Sequence, residues 1–265
     1  MNVIFDISNV YYRSYFKSKK YFLEDEEENK AILIRKFFID FCFICNSFIN
    51  VDKVICCFDS RSYRKDLSED YKSNRTDKKE PFFYEALDEV KYFLYVNGFI
   101  TLKHDGLEAD DLIYLCSNIY ENNCIISNDE DIRQYLNKTT VNLCLKKEDN
   151  TLYISNDSSI TFKILNTDYS VKQIDPVDVT ISKIFLGCNS DIVPKLAKRG
   201  VGEKGLQKLI ILKDQFVISG SLDLDKMICL YNDLFKETIQ KSQVEYNLQL
   251  INLSIDFDES IFINN

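Results

Sequence analysis

Short apolar runs that each lead into an acidic residue most constrain the fold of this chain. The runs span residues 2–5, 53–58 and 124–126, and the acids that follow them are Asp6, Asp59 and Asp129. Helical patterns separate the runs, and alternating strands and helices with tight connections predict an α/β fold, a mostly parallel central sheet with helices on both faces. Because the carboxyl ends of parallel strands meet at the edge where open sheets bind ligands, we expect these carboxylates to converge.

The coarse pattern of elements along the chain supports the same fold class. Helices are predicted over residues 8–16, 31–49, 81–97, 108–120 and 130–136, and further strands over residues 98–102, 141–145, 151–154 and 160–164. Asp149 and Asn150 suit a hairpin turn. Residues 23–29 (LEDEEEN) are mostly acidic, which predicts a solvated linker. Beyond Pro176 the pattern is helical, ending in a helical tail from Asp223.

Two dense acidic clusters occupy residues 106–111 (GLEADD) and 127–131 (SNDED). The repulsion between such carboxylates is tolerable only with bound cations or raised pKa values. Hard cations that prefer oxygen ligands, such as Mg²⁺ or Mn²⁺, suit this donor set. The sequence therefore predicts a metal site built from carboxylates. The single histidine, His104, leaves almost no material for histidine zinc sites or Ser-His-Asp catalysis.

Charge and cysteine content set further bounds. The net charge of −9 argues against a general polyanion binder, although bound cations would cancel much of it. Basic residues gather at residues 61–79 and 195–208, and the alternative interpretation of the first run is a solvated surface helix. The nine cysteines form no framework of disulfides, no signal segment precedes Met1, and a reducing cytoplasm is expected. The Cys42–Cys45 pair favours core packing over zinc or redox chemistry.

A glycine turn at Gly200 and Gly202, between two helix-like segments, can offer backbone N–H groups to a phosphate. This signal is weak when taken alone, since such turns are common. Its context is more informative, because it is one of several motifs in a recognisable order. Those motifs are residues 5–9 (FDISN), 12–16 (YRSYF), 58–59 (FD), 63–64 (YR), 71–75 (YKSNR), 106–111, 127–131, 186–194 (LGCNSDIVP) and 200–204 (GVGEK).

Over residues 3–212 these motifs resemble the structure-specific 5′-nucleases: phage 5′→3′ exonucleases, the 5′-nuclease domain of bacterial DNA polymerase I, and flap endonucleases. The resemblance implies a PIN-like 5′-nuclease core over residues 1–175 with a helical arch at about 61–80. It also implies a C-terminal helix-hairpin-helix and helical region over residues 176–265.

The resemblance further implies two divalent ions, Mg²⁺ or Mn²⁺, that activate water and stabilise charge on the scissile phosphodiester. The implied metal ligands are Asp6, Asp59, Glu108, Asp110, Asp111, Asp129, Asp131 and Asp191, with Asp129 also assigned a catalytic role. Catalytic clamping of the phosphate falls to Lys72 and Arg75, and base stacking to Tyr71. The other implied DNA-binding residues are Arg13, Arg64, Gly200, Gly202 and Lys204, and the family's helix-hairpin-helix often coordinates K⁺.

Two departures from the family pattern stand in residues 186–194. Cys188 occupies a position where the family places aspartate, and Ile192 replaces an asparagine. Cysteine is a poor ligand for Mg²⁺, so the second ion is expected to bind more weakly or through water. Lys198 and Arg199 also stand where the family has a second glycine-rich element.

The expected function is a metal-dependent 5′→3′ exonuclease and flap endonuclease of replication or repair. Its expected substrate is branched, nicked or 5′-ended duplex DNA, with RNA·DNA hybrids as a further candidate. The protein is expected to be a monomer. No membrane attachment is expected, since no apolar run approaches the ~20 residues of a membrane span. Two alternatives stay open: a PIN-type ribonuclease, and a junction-binding protein with impaired catalysis.

Overall fold

The structure is a computed structural model that describes residues 1–75, 79–146, 149–160, 164–165, 168–218 and 221–251. Its described residues divide into two units. The first takes in residues 1–62 and 79–174, and the second takes in residues 63–75 and 175–251. Each unit has its own hydrophobic core.

A seven-stranded sheet forms the centre of the first unit. Its strands are β1 Asn2–Asp6, β2 Lys53–Cys57, β3 Ile100–Leu102, β4 Asn123–Ile126, β5 Thr140–Cys144, β6 Thr151–Ser155 and β7 Ser170–Ile174. They lie in the order β3-β2-β1-β4-β5-β6-β7. Of the six neighbouring pairs, β5 with β6 is antiparallel and the other five are parallel. The predicted mostly parallel sheet is confirmed.

The α-helices of the described residues are α1 Ile7–Ser18, α2 Glu26–Cys45, α3 Arg64–Leu67, α4 Pro81–Val96, α5 Ala109–Ile119, α6 Pro176–Leu186, α7 Glu203–Ile210, α8 Leu224–Phe235 and α9 Lys241–Ile251. In the first unit, Val3 and Phe5 of β1 join a core with side chains of α1, α2 and α4. Strand side chains alternate between faces, so Ile4 points to the other face. Helix α5 packs against β1 and β2. Helices therefore cover both faces of the sheet.

The acidic linker prediction is wrong over residues 26–29, which form the first turn of α2. Asp25 caps this helix by accepting a 2.9 Å hydrogen bond from the Glu28 backbone N–H. The acids that follow lie at the positive end of the helix dipole, where negative charge is stabilising. Strand β7 was not predicted, and most of the strand predicted at residues 160–164 lies outside the described residues.

The core of the second unit gathers around α6, α7, α8 and α9. The rings of Phe185 and Tyr231 stack there with centroids 4.4 Å apart. The predicted helix-hairpin-helix is not confirmed, because no part of residues 187–202 is helical. Gly187 ends α6 with φ +69°, and Cys188 then pairs with Val193 in a tight hairpin. The glycine turn thus precedes α7 without a helix directly before it.

All nine cysteines lie within the described residues and are unpaired. Cys42 is exposed and Cys45 is half-buried, so the first of this pair is not packed in the core as predicted. Within the described ranges, no helix combines the length and the apolar character that crossing a membrane requires.

Candidate functional site

Asp6 ends β1 and begins α1 in the first unit, and it is the most buried of the three strand-end acids. One carboxylate oxygen accepts a 2.9 Å hydrogen bond from the Asn9 backbone N–H, and the other accepts a 2.7 Å bond from Ser127 Oγ. Burial first, and then the negative charges of Asp59 and Asp129, together raise the pKa of Asp6 to about 7, although the hydrogen bonds from Asn9 and Ser127 act to lower it. The site therefore concentrates negative charge.

Asp59 lies two residues beyond β2 and is exposed. Its Oδ1 accepts a 2.8 Å hydrogen bond from the backbone N–H of Ala109, the first residue of α5. The N-cap of that helix is Glu108, which is half-buried. The neighbouring β1 and β2 thus deliver Asp6 and Asp59 to the same edge, together with the N-terminus of α5.

The acids of α5 have different local roles. Asp111 is 1% exposed, and its Oδ2 accepts a 2.9 Å hydrogen bond from the Glu108 backbone N–H. This bond satisfies a helix-terminal donor, which is a structural task that competes with binding a metal. Asp110 is half-buried in the first turn. Of the two, Asp110 is the better candidate ligand.

The loop after β4 carries Asp129 and Asp131. The Asp129 backbone N–H donates to Ser127 Oγ at 3.0 Å, and Asp129 Oδ1 accepts from the Asp131 backbone N–H at 2.9 Å. Asp131 begins a 3₁₀ helix that ends at Tyr135. Hydrogen bonds hold this loop, and both acids are half-buried, with Oδ1 of Asp131 itself buried.

The strand order changes direction between β1 and β4, because β2 lies on one side of β1 and β4 on the other. Open α/β sheets bind ligands in the crevice at such a point. Asp6 ends β1 and Asp129 follows β4, so both acids belong to the two strands that flank this point of the sheet. The prediction that both acids lie at or beyond strand ends agrees with the bounds of β1 and β4.

Several positioning side chains were not predicted as site residues, although they fall in the quoted motifs. Ser127 joins Asp6 to Asp129, as described above. Asn9 Oδ1 accepts a 3.1 Å hydrogen bond from the Asn128 backbone N–H, and Asn128 Oδ1 accepts a 2.7 Å bond from the Leu145 N–H. These amides link α1, the loop after β4 and the end of β5. The one sequence signal for these three side chains was that they lie inside the motifs at residues 5–9 and 127–131.

The second unit contains Asp191 together with the predicted phosphate-binding residues of the arch segment. Arg75 Nη2 lies 2.7 Å from Asp191 Oδ1, and Lys72 Nζ lies 4.0 Å from the same oxygen. Tyr71 is 4% exposed and packs in the core of this unit. Its ring is therefore covered in this conformation, and base stacking would require it to leave the core. Arg64 is 1% exposed and lies over the Tyr63 ring, so it is not a surface cation here.

The remaining predicted DNA-binding residues lie in both units. Arg13 of α1 is half-buried, and burial lowers the pKa of its guanidinium. Gly200 adopts φ +90°, and Gly200, Gly202 and Lys204 are exposed. Other exposed cations close to this turn in sequence are Lys195, Lys198, Arg199 and Lys208. The predicted K⁺ site rests on the unconfirmed helix-hairpin-helix and stays a prediction.

Known proteins place this arrangement in context. Residues 1–163 match the family described as 5′-3′ exonuclease, N-terminal resolvase-like domain. A 5′-3′ exonuclease of Bacillus subtilis (strain 168) is 29% identical over 163 residues, 59% of this chain and 51% of the relative. A 5′-3′ exonuclease of Mycoplasma genitalium is 28% identical over 221 residues, 78% of this chain and 70% of the relative. The chain thus spans about half of the Bacillus relative.

A solved structure has a similar fold. It is the bacteriophage T5 flap endonuclease in a pseudo-enzyme-product complex with DNA and metal ions, at a TM-score of 0.56 and 18% identity. The likeness covers 95% of this chain and 88% of that one. At this identity it supports the fold, and it agrees with the mostly parallel sheet described above.

Proposed function

Because the chain belongs to the 5′-3′ exonuclease family through its N-terminal resolvase-like domain, we propose that it is a metal-dependent 5′→3′ exonuclease and flap endonuclease. Its proposed substrates are branched, nicked or 5′-ended duplex DNA in replication or repair, with RNA·DNA hybrids as a second class. It would act as a monomer. The observation that carries the proposal is that Asp6, Asp59 and Asp129 lie at or just beyond the carboxyl ends of β1, β2 and β4, respectively.

The donor set of the first unit fits hard divalent cations. Its candidate ligands are Asp6, Asp59, Glu108, Asp110, Asp129 and Asp131, with Asp111 as a weaker candidate because of its helix-capping bond. All offer carboxylate oxygens, which Mg²⁺ and Mn²⁺ prefer. Asp6 has a pKa of about 7 through burial and the charges of Asp59 and Asp129, and cations in this crevice would relieve that repulsion.

Asp191 is the remaining proposed ligand, and it belongs to the second unit. We propose Mg²⁺ or Mn²⁺ as the cofactor, with two ions bound in the active state. When bound, such ions lower the pKa of water and stabilise the charge that develops on a phosphodiester. The carboxylates would orient them, and Ser127 and Asn9 would hold the carboxylates and their loops in place.

Cations on the second unit would bind the DNA backbone without reading its sequence. Arg75 has a side chain that is 55% exposed, and a guanidinium can grip a phosphate through two hydrogen bonds. Gly200, Gly202 and Lys204 would contact the duplex with the exposed cations around them. Arg13 would act from α1. Lys72 would assist Arg75, whereas Arg64 and Tyr71 would act only after a rearrangement that exposes them.

A substrate panel tests the proposal. The full chain is incubated with a 5′-flap duplex, a nicked duplex and single-stranded RNA, each with Mg²⁺, Mn²⁺ or EDTA. Cleavage of the flap with either divalent ion, and none in EDTA, is the expected result. A preference for single-stranded RNA would support a PIN-type ribonuclease instead.

Cys188 and the pairing of Asp191 with Arg75 favour one further candidate, a junction-binding protein with impaired catalysis. Cys188 is a poor ligand for Mg²⁺, and the Asp191 carboxylate is already paired with the Arg75 guanidinium. Tight flap binding without product under either metal would support that candidate. Product formation with Mg²⁺ or Mn²⁺ would eliminate it.

A further inference from the structure

The hairpin after α6 carries Asp191 on a tight turn of the second unit. Cys188 and Val193 exchange two backbone hydrogen bonds of 3.1 and 2.9 Å, and Ile192 between them adopts φ +57°. A side chain on Gly187 would lie 2.4 Å from the Val193 carbonyl oxygen, so the start of the hairpin is closely packed. Asp191 is the one carboxylate in residues 187–194.

Residues 71–75, here called the latch segment, are fastened to this hairpin at three places. The Lys72 backbone N–H donates to the Asp191 carbonyl oxygen at 3.3 Å, and Asn74 Nδ2 donates to the Asn189 carbonyl oxygen at 2.8 Å. Arg75 Nη2 forms the 2.7 Å ion pair with Asp191 Oδ1. Tyr71 anchors the segment in the core. The docking therefore involves backbone, amide and charged groups together.

The two partners of the ion pair differ in their access to solvent. The Asp191 side chain is 11% exposed, and the Arg75 side chain is 55% exposed. Oδ1 of Asp191 faces both Arg75 and Lys72, so in this arrangement their positive charges oppose the approach of a divalent cation to that oxygen. A half-exposed ion pair is weak, and a phosphodiester, which also carries one negative charge, can accept two hydrogen bonds from the Arg75 fork in place of the single contact with Asp191.

We propose that Arg75 and Lys72 are positioning residues that hold Asp191 until a nucleic-acid phosphate draws them away, which releases Asp191 to bind a divalent ion. Binding of the phosphodiester and acquisition of the metal ligand are then coupled. This inference rests on the proposed function, which supplies the phosphate substrate and the ligand role of Asp191. It adds a form of regulation to that site: in the protein without DNA, Asp191 is paired with Arg75 and Lys72 and is not available to a metal ion.

The first test measures Mn²⁺ binding to the full chain by calorimetry in the absence of DNA. Arg75→Ala should raise the Mn²⁺ affinity of one site about tenfold, a typical size for coupling between sites. Arg75→Lys should raise it less, because the charge is kept. Adding Asp191→Asn to Arg75→Ala should abolish the gain. Lys65→Ala is the matched control, since it removes an exposed cation of the same chain region.

Equal gains in Mn²⁺ affinity from Arg75→Ala and Lys65→Ala would show that the loss of any nearby positive charge has this effect. That result would overturn the proposal. A gain that survives Asp191→Asn would overturn it as well. If no form of the protein binds Mn²⁺, the proposed function fails, and the latch is judged separately by hydrogen exchange. A 5′-flap duplex added in EDTA should then speed hydrogen exchange at the Lys72 backbone amide. An unchanged or slower rate would contradict the proposal that a phosphate replaces Asp191 as the partner of Arg75 and Lys72.

Discussion

Ser127 Oγ donates a 2.7 Å hydrogen bond to Asp6 Oδ2, which ties the loop after β4 to the end of β1. The same hydroxyl accepts the Asp129 backbone N–H at 3.0 Å. One side chain therefore sets the placement of two candidate ligands that come from different strands. Changing a group that orients a metal ligand typically lowers the metal affinity by about 10- to 100-fold.

Ser127→Ala should lower Mn²⁺ affinity by about tenfold, because Asp6 and Asp129 lose their common partner. The free energy of unfolding should fall by about 1 kcal/mol. Calorimetric titration measures the first change and urea unfolding the second. Ser117→Ala is the control: Ser117 is also buried, and its hydroxyl donates to the Ile113 carbonyl oxygen at 2.8 Å within α5. Equal losses of Mn²⁺ affinity in the two variants would contradict the role given to Ser127.

Asp6→Asn should stabilise the metal-free protein at high pH. In the folded chain the pKa of Asp6 is raised from 3.8 to about 7. As the pH rises between these values, the unfolded chain ionises at this position while the folded chain stays protonated, so stability is lost across that window. The full effect is about 4 kcal/mol. Because asparagine cannot replace both accepted hydrogen bonds, we expect a gain of about 1–3 kcal/mol.

Urea unfolding in EDTA at about pH 5 and about pH 8 measures this change. The difference between Asp6→Asn and the parent protein should be larger at the higher pH, and added Mg²⁺ should reduce it there by stabilising the parent. The same difference at both pH values would contradict the raised pKa. The variant should also lose cleavage activity, which separates stability from function at this position.

Gly187→Ala should destabilise the second unit strongly. The added Cβ would lie 2.4 Å from the Val193 carbonyl oxygen, and the residue must keep φ +69°. Gly200→Ala is the control, because Gly200 has φ +90° and open space around a built Cβ. It should cost about 1 kcal/mol, whereas Gly187→Ala should cost about 3 kcal/mol. Thermal and urea unfolding compare the two variants. Similar losses in the free energy of unfolding would show that the hairpin accommodates the added Cβ at little cost.

Lys204→Ala should weaken flap binding equally for different DNA sequences. Lys204 is exposed in the first turn of α7, beside the glycine turn, and a phosphate contact there carries no sequence information. The slope of log affinity against log salt concentration should fall by about 0.9. Lys226→Ala in α8 is the control, since Lys226 pairs with Asp223 and lies apart from the glycine turn in sequence. An unchanged slope in Lys204→Ala would contradict the assignment.

The strand-end acids were predictable because β1, β2 and β4 are short apolar runs with an acid at or just beyond their ends. The bounds of β1 follow from the sequence directly, as do the parallel pairing and the edge that carries Asp6 and Asp129. The start of α2 was missed because its acids look like a solvated linker. They become helical once Asp25 caps the first turn.

Other features depend on contacts that sequence patterns do not encode. Whether Asp111 is a ligand or a helix cap depends on its bond to the Glu108 N–H. Tyr71 looks like an exposed stacking residue in the motif, but the core of the second unit covers it. The pairing of Arg75 with Asp191 joins positions 116 residues apart, and only the fold brings them together.

Asp129→Ala tests whether the acids at the carboxyl ends of the strands form a metal centre for phosphodiester hydrolysis. Cleavage and equilibrium binding of a 5′-flap duplex are measured side by side with Mg²⁺ and with Mn²⁺. We predict that cleavage is abolished while flap affinity is largely kept, because phosphate contacts supply most of the binding. Retained turnover in Asp129→Ala would mean that these acids do not form the metal centre.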